Sequence, residues 1–210
     1  HTAGYDNAIA NYLTADETVE AADTLPARFA PAYKKISDLR YGENPHQRAA
    51  VYRDSDTHGL SLVDARICQG KALSYNNLAD GDAALACVRA FDQSPACVIV
   101  KHANPCGVAV APDLTTAYQR AFATDPVSSF GGIIAFNQQL DHETARAIID
   151  NQFAEVIIAP TITEAALDVF GTKKNLRVLE AGALPDPAAP GLAVRSIAGG
   201  LLAQTRDSGR

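Results

Sequence analysis

The chain has 210 residues, of which 47% are hydrophobic and 20% are charged, as in an ordinary soluble globular protein. Its formal net charge of -6 argues against a nucleic-acid-coating surface, because phosphate-backbone binders carry clustered Lys and Arg in excess. No stretch approaches the roughly 18 to 20 uninterrupted apolar residues of a membrane span. Composition therefore predicts a cytoplasmic protein that binds neither nucleic acid nor membranes.

The first residue and the cysteines add two expectations. The sequence has no methionine, so we interpret it as a piece of a longer protein that begins before His1. Its four cysteines lie in or beside apolar runs and lack any Cys-x-x-Cys spacing. This pattern favours reduced, mostly buried thiols over disulfides or zinc ligands.

The first ninety residues predict a connecting segment, two short strands and one helix. Residues 1–22 have the pattern of a helix end followed by an acidic stretch, as expected between domains. Short strands are predicted over residues 34–39 and 49–52. A helix is predicted over residues 80–91, because acidic residues at its start suit the helix dipole.

From residue 96 onwards, apolar runs alternate with helical segments. Strands are predicted over residues 96–100, 108–110, 133–136, 155–159, 176–179 and 200–203. Helices are predicted over 114–123, with Asp113 or Thr115 as the cap, over 141–151, capped by Asp141, and up to about residue 170. Thr161 and Glu164 have the spacing of a capping box for the last helix. The alternation predicts an α/β fold with a largely parallel sheet.

The segment from Lys101 to Gly107 is the most informative part of the chain. Lys101 and His102 directly follow the uncharged run of residues 96–100, so two titratable bases stand at the carboxyl end of a predicted buried strand. Open α/β sheets place their chemistry at that end. Adjacent Lys and His are costly in a purely structural role, because each positive charge disfavours protonation of the other. The alternative is a solvated strand end.

Three further segments carry polar residues or exposed backbone amides. They are residues 40–47, residues 69–77 and residues 128–132. The last of these contains Gly131 and Gly132, whose backbone N–H groups would suit a small anion nest. A simple β-bulge at the two glycines is the alternative.

The spacing of His102 and Cys106 bears on two kinds of site, a zinc site and a thiol nucleophile. Zinc deaminases need His-x-Glu and Pro-Cys-x-x-Cys, whereas Asn104 stands two residues after His102 and Ala109 three residues after Cys106. The zinc signature is therefore broken. Cys106 near His102 leaves a thiol nucleophile open, but packing of Cys106 is the favoured interpretation.

Four segments of the sequence are informative when taken together: LRYGENPHQ, SYNNLAD, VKHANPCG and DPVSSFGG. In this order they resemble the bifunctional purine biosynthesis family that joins phosphoribosylaminoimidazolecarboxamide formyltransferase to IMP cyclohydrolase. The opening HTAGYDNAIANYL resembles the end of that family's cyclohydrolase domain. The resemblance implies that residues 1–27 are the end of the upstream domain and its linker. Residues 28–210 would then form the N-terminal part of the formyltransferase domain.

The resemblance implies a cytidine deaminase-like layered sheet with flanking helices and no zinc. It implies formyl transfer from 10-formyltetrahydrofolate to the 5-amino group of aminoimidazole carboxamide ribonucleotide (AICAR), in a homodimer whose sites form between subunits. Lys101 and His102 match the family's catalytic pair. Arg40 and Tyr41 match residues that hold the nucleotide, and Asn77 matches an amide near the substrate.

The residue types fit a specific mechanism. We expect His102 to act as the general base for the aromatic amine and Lys101 to stabilise charge on the formyl oxygen. Two alternatives stay open. One is a truncated half-domain that binds nucleotide or dimerises without turnover. The other is a zinc-independent deaminase-like hydrolase, which is disfavoured because nothing in the sequence would activate water as a metal does.

Overall fold

A computed structural model describes residues 5, 6, 9, 25, 28–54, 61–91, 93–183 and 191–207, and its largest feature is a six-stranded sheet. The strands are β1 (Tyr33–Leu39), β2 (Ala49–Asp54), β3 (Arg66–Gln69), β4 (Ala96–Lys101), β5 (Asn104–Val110), β6 (Ile133–Phe136), β7 (Val156–Ala159), β8 (Arg177–Glu180), β9 (Leu192–Ile197) and β10 (Gly200–Thr205). The helices are α1 (Tyr75–Val88), α2 (Leu114–Thr124), α3 (Pro126–Ser129), α4 (His142–Asn151) and α5 (Glu164–Gly171).

The main sheet has six strands in the order β3-β8-β7-β6-β4-β5. The β6–β7 and β7–β8 pairs are parallel, whereas β4 is antiparallel to both β5 and β6, and β3 is antiparallel to β8. The predicted α/β class is confirmed, but the prediction of a largely parallel sheet is wrong. A two-residue turn returns the chain directly from β4 to β5, so no crossover helix separates them.

Both faces of the sheet are covered by helices. This burial explains why strand β4 has no polar residue before Lys101. Its side chains alternate between two core clusters, with Ala96, Val98 and Val100 on the side of α1. Cys97 and Ile99 lie on the opposite side, which α2, α4 and α5 cover. Five consecutive residues of β4 are fully buried, so the strand could carry no charge there without a large desolvation cost.

The helix caps were partly predicted. Asp113 and Asp141 cap α2 and α4 by accepting hydrogen bonds from the backbone N–H three residues later, as expected. The cap of α5 is Thr163, so the predicted capping box at Thr161 is wrong. Helix α1 begins five residues before the predicted start, because Ser74 and a residue of the first turn form a capping box there.

Two hairpins complete the described chain. Strands β1 and β2 form one antiparallel pair, as their separate predictions allow, and β9 and β10 form the other. Strands β3 and β9 were not predicted. The predicted domain boundary at residue 27 lies outside the described residues. In the predicted segment before it, the described residues Tyr5, Asp6 and Ile9 are helical. In the described ranges, no helix has the length and apolar character to cross a bilayer.

Gly107 is required where β5 crosses α2. A Cβ atom built on Gly107 would lie 2.1 Å from the carbonyl oxygen of Ala121, a backbone atom that cannot rotate away. We expect Gly107→Ala to destabilise the protein by about 3 kcal/mol, the upper end for overpacked cores, or about 6–12 °C in Tm. Gly171→Ala is the matched control, because nothing lies within 4 Å of its added Cβ. Equal melting temperatures for the two variants in differential scanning calorimetry would contradict this account.

Candidate functional site

Lys101 and His102 lie at the edge of the sheet where the parallel strands begin. Val100 pairs with Ile133, the first residue of β6, and Ile133 pairs with Val156, the first residue of β7. Because β4 runs antiparallel to these strands, its carboxyl end meets their amino ends. The expectation that this pair lies at the carboxyl edge of a parallel sheet is therefore wrong. Lys101 and His102 are held in place by local hydrogen bonds.

His102 and Ala103 form the two-residue turn between β4 and β5. Their φ angles are 56° and 58°, and Lys101 pairs with Asn104 across the hairpin. Positive φ at both central residues is the geometry of a type I′ turn, which normally contains Asn-Gly, Asp-Gly or Gly-Gly. A left-handed conformation costs roughly 1–2 kcal/mol for each residue that carries a Cβ. His102 therefore occupies a strained and exposed position, as residues at active sites often do.

Hydrogen bonds from outside the turn offset this strain. Oδ1 of Asp80 accepts from the Ala103 N–H at 2.7 Å, and Oδ2 accepts from the His102 N–H at 3.3 Å. Nδ2 of Asn104 donates to the His102 carbonyl oxygen at 2.9 Å. Asp80 belongs to α1, so the turn is fixed to a helix that packs on the sheet through Ala84.

Lys101 is held from another direction. Its Nζ donates a hydrogen bond of 2.9 Å to the carbonyl oxygen of Phe130. Phe130 directly follows α3, a single turn that Asp125 caps by accepting from the N–H and hydroxyl of Ser128. These hydrogen bonds hold the pKa of Asp125 below its usual value of 3.8. The ammonium of Lys101 is therefore placed at a defined point of the sheet edge.

The predicted anion nest over residues 128–132 is wrong. Each backbone N–H in this segment already donates within the protein: two to Asp125, one to Val127, one to Phe153 and one to Ser129. A nest needs several such groups turned towards a common concave point. The segment instead forms α3 and the bend that presents the Phe130 carbonyl to Lys101.

Asn77 is buried and its side chain is committed to protein contacts. Its Oδ1 accepts from the Ser74 N–H at 3.2 Å, while its own N–H donates to the Ser74 hydroxyl at 3.1 Å. Its Nδ2 donates to Oε2 of Glu155 at 2.9 Å. Asn77 therefore caps α1 and orients a carboxylate just before β7, at the same sheet edge as Lys101.

Arg40 and Tyr41 lie in the loop that follows β1. The guanidinium carbon of Arg40 stands 5.5 Å from the centroid of the Tyr41 ring, a cation–π distance. Within the described residues no carboxylate lies at ion-pair distance from Arg40, so a pair with Glu43 is not formed. The carbonyl of Glu43 accepts from Nδ2 of Asn76 at 3.5 Å, which links the loop to the first turn of α1.

Helix α1 therefore contacts two of the other polar segments singled out in the sequence. Its first turn meets the loop of residues 40–47 through Asn76, and its second turn meets the turn at His102 through Asp80. The structure gives no direct contact between Arg40 and Lys101. The loop of residues 40–47 and the turn at His102 are therefore linked through helix α1.

The thiols are packed, as the sequence favoured. Cys97 is fully buried, and burial raises the pKa of its thiol well above the usual 9.0. Cys106 packs against the core, with its Sγ 3.5 Å from the carbonyl oxygen of Ile99 and 3.8 Å from the Ser129 hydroxyl. Across the described ranges, no group of three His, Cys, Asp or Glu residues is arranged to hold a metal ion.

Comparison with known families gives a match over the whole sequence. Residues 1–210 match the family described as AICARFT/IMPCHase bienzyme. The chain belongs to this family. AICARFT/IMPCHase bienzymes are purine biosynthesis enzymes that combine AICAR formyltransferase with IMP cyclohydrolase, so the family resemblance of the four sequence segments is confirmed.

Three residues that contact the predicted AICARFT/IMPCHase site residues were not predicted. The sequence indicates only that Asp80 is a favourable charge at a helix start, that Phe130 belongs to a nest and that Glu155 starts a strand. Ser74 and Asn77 mark the early start of α1 and so place Asp80 inside the helix, but no local pattern indicates its contact with the turn. The contacts of Phe130 and Glu155 depend on tertiary structure.

A cavity of about 550 Å³ opens beside the anchor of Lys101. Phe130 and Phe153 line it with rings 5.6 Å apart, and Lys173 and Lys174 are among its polar lining residues. Cavities of about 300–1,000 Å³ with aromatic walls and a few polar groups are typical of small-molecule sites. Phe130, whose carbonyl accepts from the Lys101 ammonium, belongs to the lining of this cavity, whereas Lys101 and His102 do not.

Proposed function

We propose that this chain carries the catalytic Lys-His part of an AICAR formyltransferase site. It transfers a formyl group from 10-formyltetrahydrofolate to the 5-amino group of AICAR, in a parent protein that also cyclises the formylated product (FAICAR) to IMP. One observation supports this most: Lys101 and His102 are adjacent at the sheet edge, with the ammonium fixed on Phe130 and the imidazole on a clamped turn. Family membership supports the reaction class.

The residue types divide the chemistry between them. His102, when neutral, accepts a proton from the 5-amino group as its nitrogen bonds to the formyl carbon. Lys101 stabilises the negative charge that develops on the formyl oxygen. When the tetrahedral intermediate collapses, the bond from the formyl carbon to the folate nitrogen breaks. That nitrogen then takes up the proton that the amine released.

Asn77 and Tyr41 have supporting roles in this proposal. The Asn77 amide lies at the same sheet edge as Lys101 and holds the Glu155 carboxylate, so it shapes the substrate side of the site. The Tyr41 ring packs against one face of the Arg40 guanidinium. The N–H groups at the edge of the guanidinium plane can then donate to an anion. The site is completed by a second copy in a homodimer, as the family resemblance implies.

Arg40 is proposed to bind the AICAR phosphate. A guanidinium fork forms charge-assisted hydrogen bonds worth about 1.5–3 kcal/mol to such an acceptor, so Arg40→Ala is expected to raise the Kd for AICAR about 10- to 100-fold. The single-turnover rate at saturating AICAR should change much less. Arg48→Ala removes the same charge from the end of the same loop and serves as the control. An unchanged Kd in Arg40→Ala, measured by isothermal titration calorimetry, would overturn this role.

The proposed function is tested by two measurements on the same protein. Calorimetry with AICAR measures binding, and a formyl-transfer assay with AICAR and 10-formyltetrahydrofolate measures turnover. We expect both to be positive in the intact protein. Binding without turnover would instead support the half-domain alternative, in which this chain only holds nucleotide or dimerises. Release of ammonia from a panel of nucleosides would support a hydrolase.

A further inference from the structure

The turn at His102 has a conformation that its own residues disfavour. Two consecutive residues with Cβ atoms, His102 and Ala103, hold φ angles of 56° and 58°. Neither the Asn-Gly sequence nor any other glycine-containing pair supplies this geometry from within the turn. Some group outside the turn must therefore select it.

Asp80 is that group. Each carboxylate oxygen accepts one hydrogen bond from the turn. Oδ1 accepts from the Ala103 N–H at 2.7 Å, and Oδ2 accepts from the His102 N–H at 3.3 Å. In the observed left-handed backbone, both consecutive N–H groups point towards this carboxylate. A carboxylate suits this task because both of its oxygens accept and neither donates.

The anchor is rigid as well as complementary. Asp80 is half-buried in the second turn of α1, between the buried residues Asn77 and Gly81. The same helix packs into the core through Ala84 and Val88, which are fully buried. A displacement of the turn would therefore require either loss of both hydrogen bonds or movement of a core helix.

We propose that Asp80 is a positioning residue for formyl transfer, which clamps the turn and so fixes the direction of the His102 imidazole. This inference rests on the proposed function of His102. It assigns Asp80 no contact with substrate. Its role is to keep the base aligned with the amine, where a misplacement of about 1 Å costs about 10²-fold in rate.

The first test compares Asp80→Ala with Asp82→Ala in the intact protein. Asp82 lies on the same helix and is exposed, so its removal changes the charge of α1 equally without touching the turn. We expect Asp80→Ala to lower kcat for formyl transfer about 10²-fold with little change in KM for AICAR, and Asp82→Ala to match the unmodified protein. Equal kcat values in the two variants would overturn the proposal.

A second variant separates clamping from a general loss of structure. Glycine adopts positive φ without strain, so Ala103→Gly favours the observed turn even without the carboxylate. We expect the double variant Asp80→Ala/Ala103→Gly to recover most of the kcat lost in Asp80→Ala. Failure of this rescue in a protein whose melting temperature matches that of Asp80→Ala would count against the clamp. Asp80→Asn, which leaves only one accepting oxygen, should lose activity despite its equal size.

A structural readout keeps the inference distinct from the proposed function. Hydrogen–deuterium exchange followed by NMR reports the His102 and Ala103 amides individually. Exchange should be faster in Asp80→Ala than in Asp82→Ala, whatever reaction the protein catalyses. Unchanged exchange would overturn the clamp. If exchange accelerates but His102→Ala keeps full formyl transfer, the proposed function fails while the clamp stands.

Discussion

Replacing His102 with alanine is expected to slow single-turnover formyl transfer about 10²- to 10⁴-fold, the range for loss of a general base. The amine of an aminoimidazole is a weak nucleophile, so its attack depends on a group that takes the proton as the new bond forms. His102 is exposed on a clamped turn, next to the fixed ammonium of Lys101. The effect should fall on the chemical step, and AICAR binding should change little.

The matched control is His142→Ala. His142 is the first residue of α4 and is exposed, so its loss removes an imidazole without disturbing a core contact. Rapid-quench measurement of formylated AICAR under single-turnover conditions distinguishes the two variants. If His102→Ala were as fast as His142→Ala, His102 would have no role as a base and the mechanism would have to be abandoned.

The starts of α2 and α4 and the buried strand β4 could be predicted from the sequence, because neighbouring residues determine them. Asp113 and Asp141 cap helices through their own neighbours, so the start of each helix follows from a few residues. Strand β4 is an uninterrupted apolar run because both of its faces are buried. The pairing of Lys101 with His102 is likewise visible, since the two residues are adjacent in the chain.

Other features depend on residues that are distant in the sequence. The direction of β4 relative to β6 is not encoded in its apolar run, and the turn at His102 lacks the glycine that would have marked a hairpin. That turn is selected by Asp80, which lies 22 residues away, and Lys101 is held by a carbonyl 29 residues away. The position of Lys101 and His102 was therefore predictable along the chain, but the contacts that fix these two residues were not.

The same distinction applies to the residues assigned by resemblance. Asn77 was expected near the substrate, and the structure shows a second reason for an amide at this position, because it caps α1 and holds Glu155. A substitution at Asn77 would therefore alter the start of the helix that carries Asp80.

Lys101→Met is expected to lower kcat/KM for formyl transfer about 10²- to 10³-fold, as for loss of one donor to a developing oxyanion. The Lys101 ammonium carries three N–H donors, and the Phe130 carbonyl takes one at 2.9 Å. The substrate's formyl oxygen is proposed to take another. Methionine keeps the length and flexibility of the side chain but has no charge and no donor, so the variant isolates the electrostatic term.

Two comparisons make this prediction specific. Lys34→Met removes an exposed lysine from β1 and should leave kcat/KM unchanged. Lys101→Arg keeps the charge but spreads the donors over a rigid planar fork, so it should not restore the contact with both Phe130 and the substrate. A Lys101→Met enzyme as active as Lys34→Met would mean that the ammonium only ties β4 to the bend after α3. Loss in Lys101→Met with retained AICAR affinity would place the charge at the reacting oxygen, where a single fixed cation stabilises the transition state more than the bound substrate.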